Sequence, residues 1–319
     1  MGDGAATATS LRIGIVGAGR TRQGLGPFFA SAFGAAGCRI TGVSGRDLAG
    51  AERAAQELGK GLEHPVAAHP DAASLARNVD ALVVASPVPG HLAGLDAALA
   101  AGIPCLCEKP LVAAEDLAAG RERIAAFRRR GLLLQENCQW PEVLPALFAL
   151  HPELRGQRIE RVAMGLGPGW PGRTMVVDSL SHVLSIVQAL APLPPDASPR
   201  QVHQTDSGEQ AGHNLVTFGL AATTGAIAVD LHLDHTPAPP RPAWIAVNGV
   251  RIDRRIGPSY AQSFVAADGR SIPVSDPLHR LVYGFAAALR TPDRERTTTT
   301  ADVVDLRLRL FAAVLAALG

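Results

Sequence analysis

Residues 11–19, Leu-Arg-Ile-Gly-Ile-Val-Gly-Ala-Gly, carry a short β-branched strand directly into the turn Gly17-Ala18-Gly19, and a helical pattern follows from about residue 24 to residue 36. Strand, glycine turn and helix in that order aim backbone N–H groups and the helix N-terminus at a pyrophosphate, with glycines permitting close approach. The third glycine of Gly-x-Gly-x-x-Gly is absent: Arg22 holds its place, and the next glycines are Gly24 and Gly26. A turn longer than usual is therefore expected, with Gly17 and Gly19 beside phosphate and Arg20 and Arg22 within reach of it. A plain tight turn is the competing reading. Position after the first strand favours the nucleotide.

A second strand at 39–43 ends in Ser44-Gly45-Arg46-Asp47. An acidic tip would hold the adenosine ribose hydroxyls of NAD and repel a 2′-phosphate, whereas a small hydroxyl and an arginine suit NADP. Ser44 and Arg46 thus favour NADP(H), with NAD(H) as second choice, and Asp47 reads as the N-cap of the next helix. Strands at 65–68, 81–85, 104–107 and 132–135 follow, separated by helical segments that include one from 71 and one over 113–130. This alternation gives a parallel sheet covered on both faces, with ligands beyond the carboxyl ends of its strands. The loop Ser86-Pro87-Val88-Pro89-Gly90-His91 lies at one such end, placing Ser86, Pro87 and His91 near a cofactor. Glu108-Lys109-Pro110 lies at another. Of 30 basic Lys and Arg residues only Lys60 and Lys109 are lysines, and a lysine, unlike arginine, has a pKa that its surroundings can move. An ordinary solvated Glu108/Lys109 pair is the alternative.

The segment Gln135-Glu136-Asn137-Cys138-Gln139-Trp140-Pro141 marks the passage into a second domain. Its polar side chains, Asn137 and Gln139 beside Trp140, line a substrate pocket or cap the sheet. A helix at about 175–190 carries Asp178 and His182, spaced i and i+4 on one face, where the acid can hold the imidazole and raise its basicity. Apolar neighbours nearly all round that helix put the pair in the interior or beside a cleft. From 200 to 274 the pattern becomes alternating and β-branched, with strands expected at 215–220, 226–233, 243–248, 251–256 and 271–274 and no long helix between them. His232 and Asp234 share a face of one strand, read as solvated or interfacial in preference to a metal site. Amphipathic helices over about 277–290 and 302–318 complete the chain. The fold class is α/β: a Rossmann domain with a parallel sheet over residues 1–135, then an α+β domain with an open, mostly antiparallel sheet over 136–319, its last helix packing back on the first domain.

Length and composition bound the function. At roughly 150 residues per domain, 319 residues suggest two. A net charge of +1 and 4% aromatic residues give neither the field nor the stacking platforms that nucleic acid requires. The four cysteines, Cys38, Cys105, Cys107 and Cys138, show no Cys-x-x-Cys spacing, so neither a zinc site nor a disulfide framework is expected. A cytoplasmic protein without membrane spans or an N-terminal signal fits best.

Taken together, Gly17-Ala18-Gly19, the loop Ser86-Pro87 to His91, Glu108-Lys109-Pro110 and Asp178-x-x-x-His182 resemble the Gfo/Idh/MocA family of oxidoreductases. Leu180 stands where the family has glycine, and the family's arginine shortly before Pro141 is missing. The resemblance implies a nicotinamide-binding Rossmann domain, and a second sheet through which a homodimer or homotetramer forms. It also places Lys109, Asp178 and His182 around the reacting carbon of a small substrate. The implied reaction is hydride transfer between NADP(H) and a carbinol or carbonyl carbon of a sugar, cyclitol or derivative. An imine reductase and a catalytically silent NADP-binding sensor are the alternatives.

Overall fold

A computed structural model describes residues 10–19, 25–206 and 208–319. The first sheet holds six parallel strands, β1 (Arg12–Val16), β2 (Arg39–Ser44), β3 (Ala67–His69), β4 (Ala81–Val84), β5 (Cys105–Cys107) and β6 (Leu134–Glu136), in the order β3-β2-β1-β4-β5-β6. Strand order reverses between β1 and β4, so a crevice opens beyond their carboxyl ends. Between the strands run α1 (Gly26–Ala35), α2 (Leu48–Leu62), α3 (Ala72–Ala76), α4 (His91–Ala101) and α5 (Leu117–Arg130). Alternate residues such as Ile13 and Leu82 are wholly buried on opposite faces because helices cover both. Asp47 caps α2, its carboxylate accepting from Gly50 N at 2.6 Å, as its position before the helix implied.

The second sheet holds eight strands. They are β7 (Arg161–Leu166), β8 (Arg200–Gln204), β9 (His213–Ala222), β10 (Gly225–Asp234), β11 (Ala243–Val247), β12 (Val250–Ile256), β13 (Gln262–Ala266) and β14 (Ser271–Val274). Their order is β14-β13-β12-β11-β7-β10-β9-β8, antiparallel throughout except for the central pair β7 and β10. That parallel pair needs a crossover, which α7 (Arg173–Leu190) begins. Two strands escaped the sequence pattern. Among the residues of β8 only Val202 is aliphatic, and β13 is five residues long.

The long-helix side of this sheet is filled by Val162, Met164, Leu231 and Ile245 against Leu180, Val183 and Val187 of α7. Short α6 (Leu144–Leu150) packs near β13 and β14. The last two helices reach back to the first sheet's layers. α8 (Pro277–Arg290) lies on α1, with Phe33 and Phe285 edge to face at 6.2 Å, and α9 (Arg294–Leu318) lies on α5 and α7. α9 starts eight residues earlier than its apolar pattern suggests. Asp293 accepts from Glu295 N and Arg296 N, and that cap draws the poorly helical run Thr297–Thr300 into the first turns.

Candidate active site

At the carboxyl edge of the first sheet the chain is packed backbone on backbone. Gly17 adopts φ +85°, and a Cβ there would lie 2.5 Å from Ser86 N. Its own N–H donates to Ser44 O at 2.8 Å. A Cβ on Gly26, the first residue of α1, would lie 2.6 Å from Ala18 Cα. Gly26 therefore supplies the close helix-to-turn contact that the sequence reading missed at position 22. Gly19 differs: a Cβ there would meet nothing within 4 Å, which leaves its face open to a ligand. Arg20 and Arg22 lie outside the described residues.

Two hydroxyls at this edge, Ser44 Oγ and Ser86 Oγ, are buried without a hydrogen-bond partner among the described residues. Open glycine, orphaned hydroxyls and the N-terminus of α1 fit a dinucleotide. Arg46 is exposed and makes no ion pair with a described residue. Ser44 is only 1% exposed, so of the expected pair Arg46 alone presents its polar group at the surface. His91 corrects another expectation. Its ring is wholly buried, with Nε2 2.8 Å from Ser86 O and Nδ1 3.1 and 3.2 Å from Pro110 O and Leu111 O. Both nitrogens face loop carbonyls, and the neutral ring donates its one N–H to one of them. His91 ties the Ser86-Pro87 loop to the Lys109 loop, and burial pushes its pKa down.

The Lys109 loop is held from below as well. Glu136, at the end of β6, accepts from Leu111 N at 3.0 Å through Oε1 and from Arg307 Nη1 of α9 at 3.0 Å through Oε2. Arg307 Nε also donates to Gln188 of α7 at 2.8 Å. Beside this buried ion pair, Asn137 Nδ2 donates to Glu108 Oε1 at 2.5 Å. Burial, opposed by Lys109 and Asn137, raises the Glu108 carboxyl to about 7. Asn137 is thus buried beneath the site and faces Glu108.

Above the loop, Lys109 Nζ donates to Asp178 Oδ1 at 2.5 Å and to Asp178 O at 2.6 Å. The lysine side chain is 12% exposed and the aspartate 54%, so the ammonium is screened from water while the carboxylate reaches the surface. Burial pulls the Lys109 pKa down, but Asp178 and Glu108 outweigh it and the net direction is up. Burial pushes Asp178 up, and Lys109, helped by His182 and Arg241, brings it net down. Lys109 is an ammonium and Asp178 a carboxylate.

The i, i+4 pair behaves differently from its sequence reading. Asp178 spends its carboxylate on Lys109, 69 positions away, and His182 Nδ1 is buried with no partner among the described residues. Burial first, then Lys109, drives the His182 pKa to about 3, against the opposite pull of Asp178. The ring is made less basic, because the lysine that takes its aspartate also repels its proton. Trp140 meets His182 edge to face at 6.3 Å, and Gln139 precedes it with a buried Oε1. Cys138 donates weakly to Ser181 O at 3.6 Å, and burial raises its thiol to about 12.

Elsewhere His232 lies against Trp244 with ring centres 5.1 Å apart and planes tilted by 47°, and Asp234 accepts from His213 Nδ1 at 2.5 Å, so the two side chains on that strand have separate partners. No group of three metal-ligating side chains occurs among the described residues. Sequence reasoning missed Glu136 and Arg307. An arginine set among leucines at 306–308 was the available signal.

A six-stranded parallel sheet in this order, with a glycine turn at its switch point and Lys109 on its own edge meeting Asp178 of α7, defines a dinucleotide-binding protein of the Rossmann class. Residues 11–138 match the family model described as oxidoreductase family, NAD-binding Rossmann fold. Inositol 2-dehydrogenase of Streptomyces avermitilis is 34% identical over 207 residues, 62% of this chain and 58% of that protein. The chain spans about half the length of the curated relatives it matches. Two solved structures share the fold: UDP-N-acetylglucosamine 3-dehydrogenase from Acidithiobacillus ferrooxidans and a 3-ketoreductase from Actinomadura kijaniata in complex with NADP. The first has TM-score 0.65 and 21% identity, covering 97% of both chains; the second has TM-score 0.67 and 20% identity, covering 96% and 97%. Over residues 11–138 the chain is similar to the Gfo/Idh/MocA oxidoreductases, as its motifs implied.

Proposed function

We propose that the chain transfers a hydride between NADP(H) and a carbinol or carbonyl carbon of a small polyhydroxylated substrate. The observation that carries this reading is the screened Lys109 ammonium, held by Asp178 at the surface with His182 on the same helix. Gly17, Gly19, Ser86 and Glu108 line the edge where the cofactor would bind, and Arg46 is the group that would meet a 2′-phosphate. The nicotinamide supplies the hydride acceptor or donor.

In oxidation the substrate hydroxyl gives its proton to the neutral His182 imidazole as hydride departs, because the oxygen becomes far more acidic once its carbon turns carbonyl-like and so loses the proton even to a base of lowered pKa. Lys109 donates a hydrogen bond to the same oxygen and stabilises the negative charge that grows there as hydride leaves the carbon. Asp178 fixes the ammonium. In reduction the same ammonium polarises the carbonyl oxygen. Among the described residues no helix is long and apolar enough to cross a membrane. Outward from the second sheet, Trp244 lies beneath the Arg251 guanidinium at 4.1 Å, and this face supports pairing with a second copy.

The test is isotopic. NADPH deuterated at C4, incubated with keto-sugars and keto-cyclitols, should leave deuterium on the carbinol carbon of the product. Absence of label with every carbonyl tried, while NADPH binds, would overturn the reading in favour of a silent cofactor sensor.

A further inference from the structure

Trp140 also lines a cavity of about 30 Å³. Three polar atoms from three separate elements line it: Gln139 Oε1 after β6, Arg254 Nε on β12 and Gln262 Oε1 on β13. All three are buried and lack a hydrogen-bond partner among the described residues. The rest of the Arg254 guanidinium is fixed, with Nη2 donating to Arg241 O at 3.0 Å and Cζ 5.4 Å from the Trp140 ring centre. Phe264, edge to face with Trp140 at 6.5 Å, makes an apolar wall. Asp276 completes the lining, one of its oxygens accepting from Leu278 N at 2.9 Å.

The chemistry of the lining selects its occupant. A buried polar atom left unpaired is costly, and three in one small cavity make an empty state expensive. Arg254 Nε can only donate, and the two amide oxygens can only accept. A group that accepts one hydrogen bond and donates another, as a hydroxyl does, pairs Arg254 Nε and one of the two amide oxygens. An anion would face Asp276 and two amide oxygens, and a cation would face Arg254, so charged groups are disfavoured. The volume admits one oxygen-sized group. Trp140 connects the cavity to the reaction, since its ring also contacts His182.

The geometry points to a hydroxyl-binding subsite formed by Gln139, Arg254 and Gln262, which seats one hydroxyl of the substrate away from the reacting carbon. This rests on the polyhydroxylated substrate proposed above and names the residues that would recognise it. The same O–H chemistry could come from a trapped water, and the experiment separates the two.

The test uses myo-inositol as probe on the NADP-loaded chain. Calorimetric titration should show binding to the parent and about tenfold weaker binding to Gln262→Leu, with Gln139→Leu as the second variant should the first not fold. A crystal of the parent soaked in myo-inositol should place a ligand hydroxyl within hydrogen-bond distance of Arg254 Nε. Unchanged affinity in a folded variant, a water alone at Arg254 Nε, or no uptake by the parent would each overturn the subsite. The hydride reading stands or falls separately: binding without deuterium transfer sinks that reading and leaves the subsite, whereas transfer with unaltered affinity in the variants does the reverse.

Discussion

The turn after β1 and the helix α7 both contribute to the candidate site, yet they are specified by different means. Around Gly17, Gly19 and Gly26 the site is made of backbone: Gly17 and Gly26 allow close approach to Ser86 and Ala18 because they lack a side chain, and Gly19 leaves its face open. On α7 the site is made of side chains whose partners come from far away: Asp178 chooses Lys109 over His182, its neighbour one turn on. A backbone site announces itself in local sequence. A side-chain site takes its ionisation from whatever the fold brings near.

The largest effect expected from breaking this contrast is at Arg307, the distant residue beneath the Lys109 loop. Replacing Arg307 by Leu leaves Glu136 charged, buried and unpaired, which should cost about 3–5 kcal/mol in denaturant unfolding. The double variant Arg307→Leu, Glu136→Leu should recover most of it, and equal losses in single and double variants would deny the ion pair this role. Next comes Arg46→Ala. One charge-assisted contact to a 2′-phosphate is worth about 1.5–3 kcal/mol, or on the order of ten- to a hundredfold in affinity. Comparing dissociation constants for NADPH and NADH should show the NADPH preference falling by that factor with NADH binding nearly unchanged.

Within the turn itself two glycines should separate. Gly26→Ala forces a Cβ against Ala18 backbone and should lose about 1–3 kcal/mol of stability. Gly19→Ala meets no atom and should keep the parent melting temperature while weakening cofactor binding. Identical behaviour of the two would erase the distinction drawn between packing and ligand glycines. The gentlest effect is a slope with pH. Glu108 titrates at about 7 in the fold, above an unfolded glutamate at about 4.3. Its contribution to stability is therefore full below the unfolded value and is lost as pH rises through about 7. Unfolding midpoints measured from pH 5 to pH 8 should fall less steeply in Glu108→Gln than in the parent.

The same contrast explains what could be read from the chain alone. Both sheets, the cap at Asp47 and the positions of Lys109, Asp178 and His182 follow from periodicity and punctuation. The polar strand β8, the role of Gly26 and the burial of His91 do not, because each depends on what packs against it. His182 is the sharpest case: spacing placed it one turn from Asp178, but its basicity is set by burial and by a lysine from the other sheet. Arg254 was illegible for a related reason, since a buried cation looks in sequence like a surface arginine, and Arg307 showed only its setting between two leucines.

Everything proposed for the chemistry converges on the Lys109 ammonium, and removing it is the most direct test. Lys109→Ala should fold, bind NADPH and retain parent-like cofactor affinity, while kcat for a substrate turned over by the parent falls by about a hundredfold or more. Turnover at the parent rate in a folded, NADPH-bound Lys109→Ala protein would contradict the account.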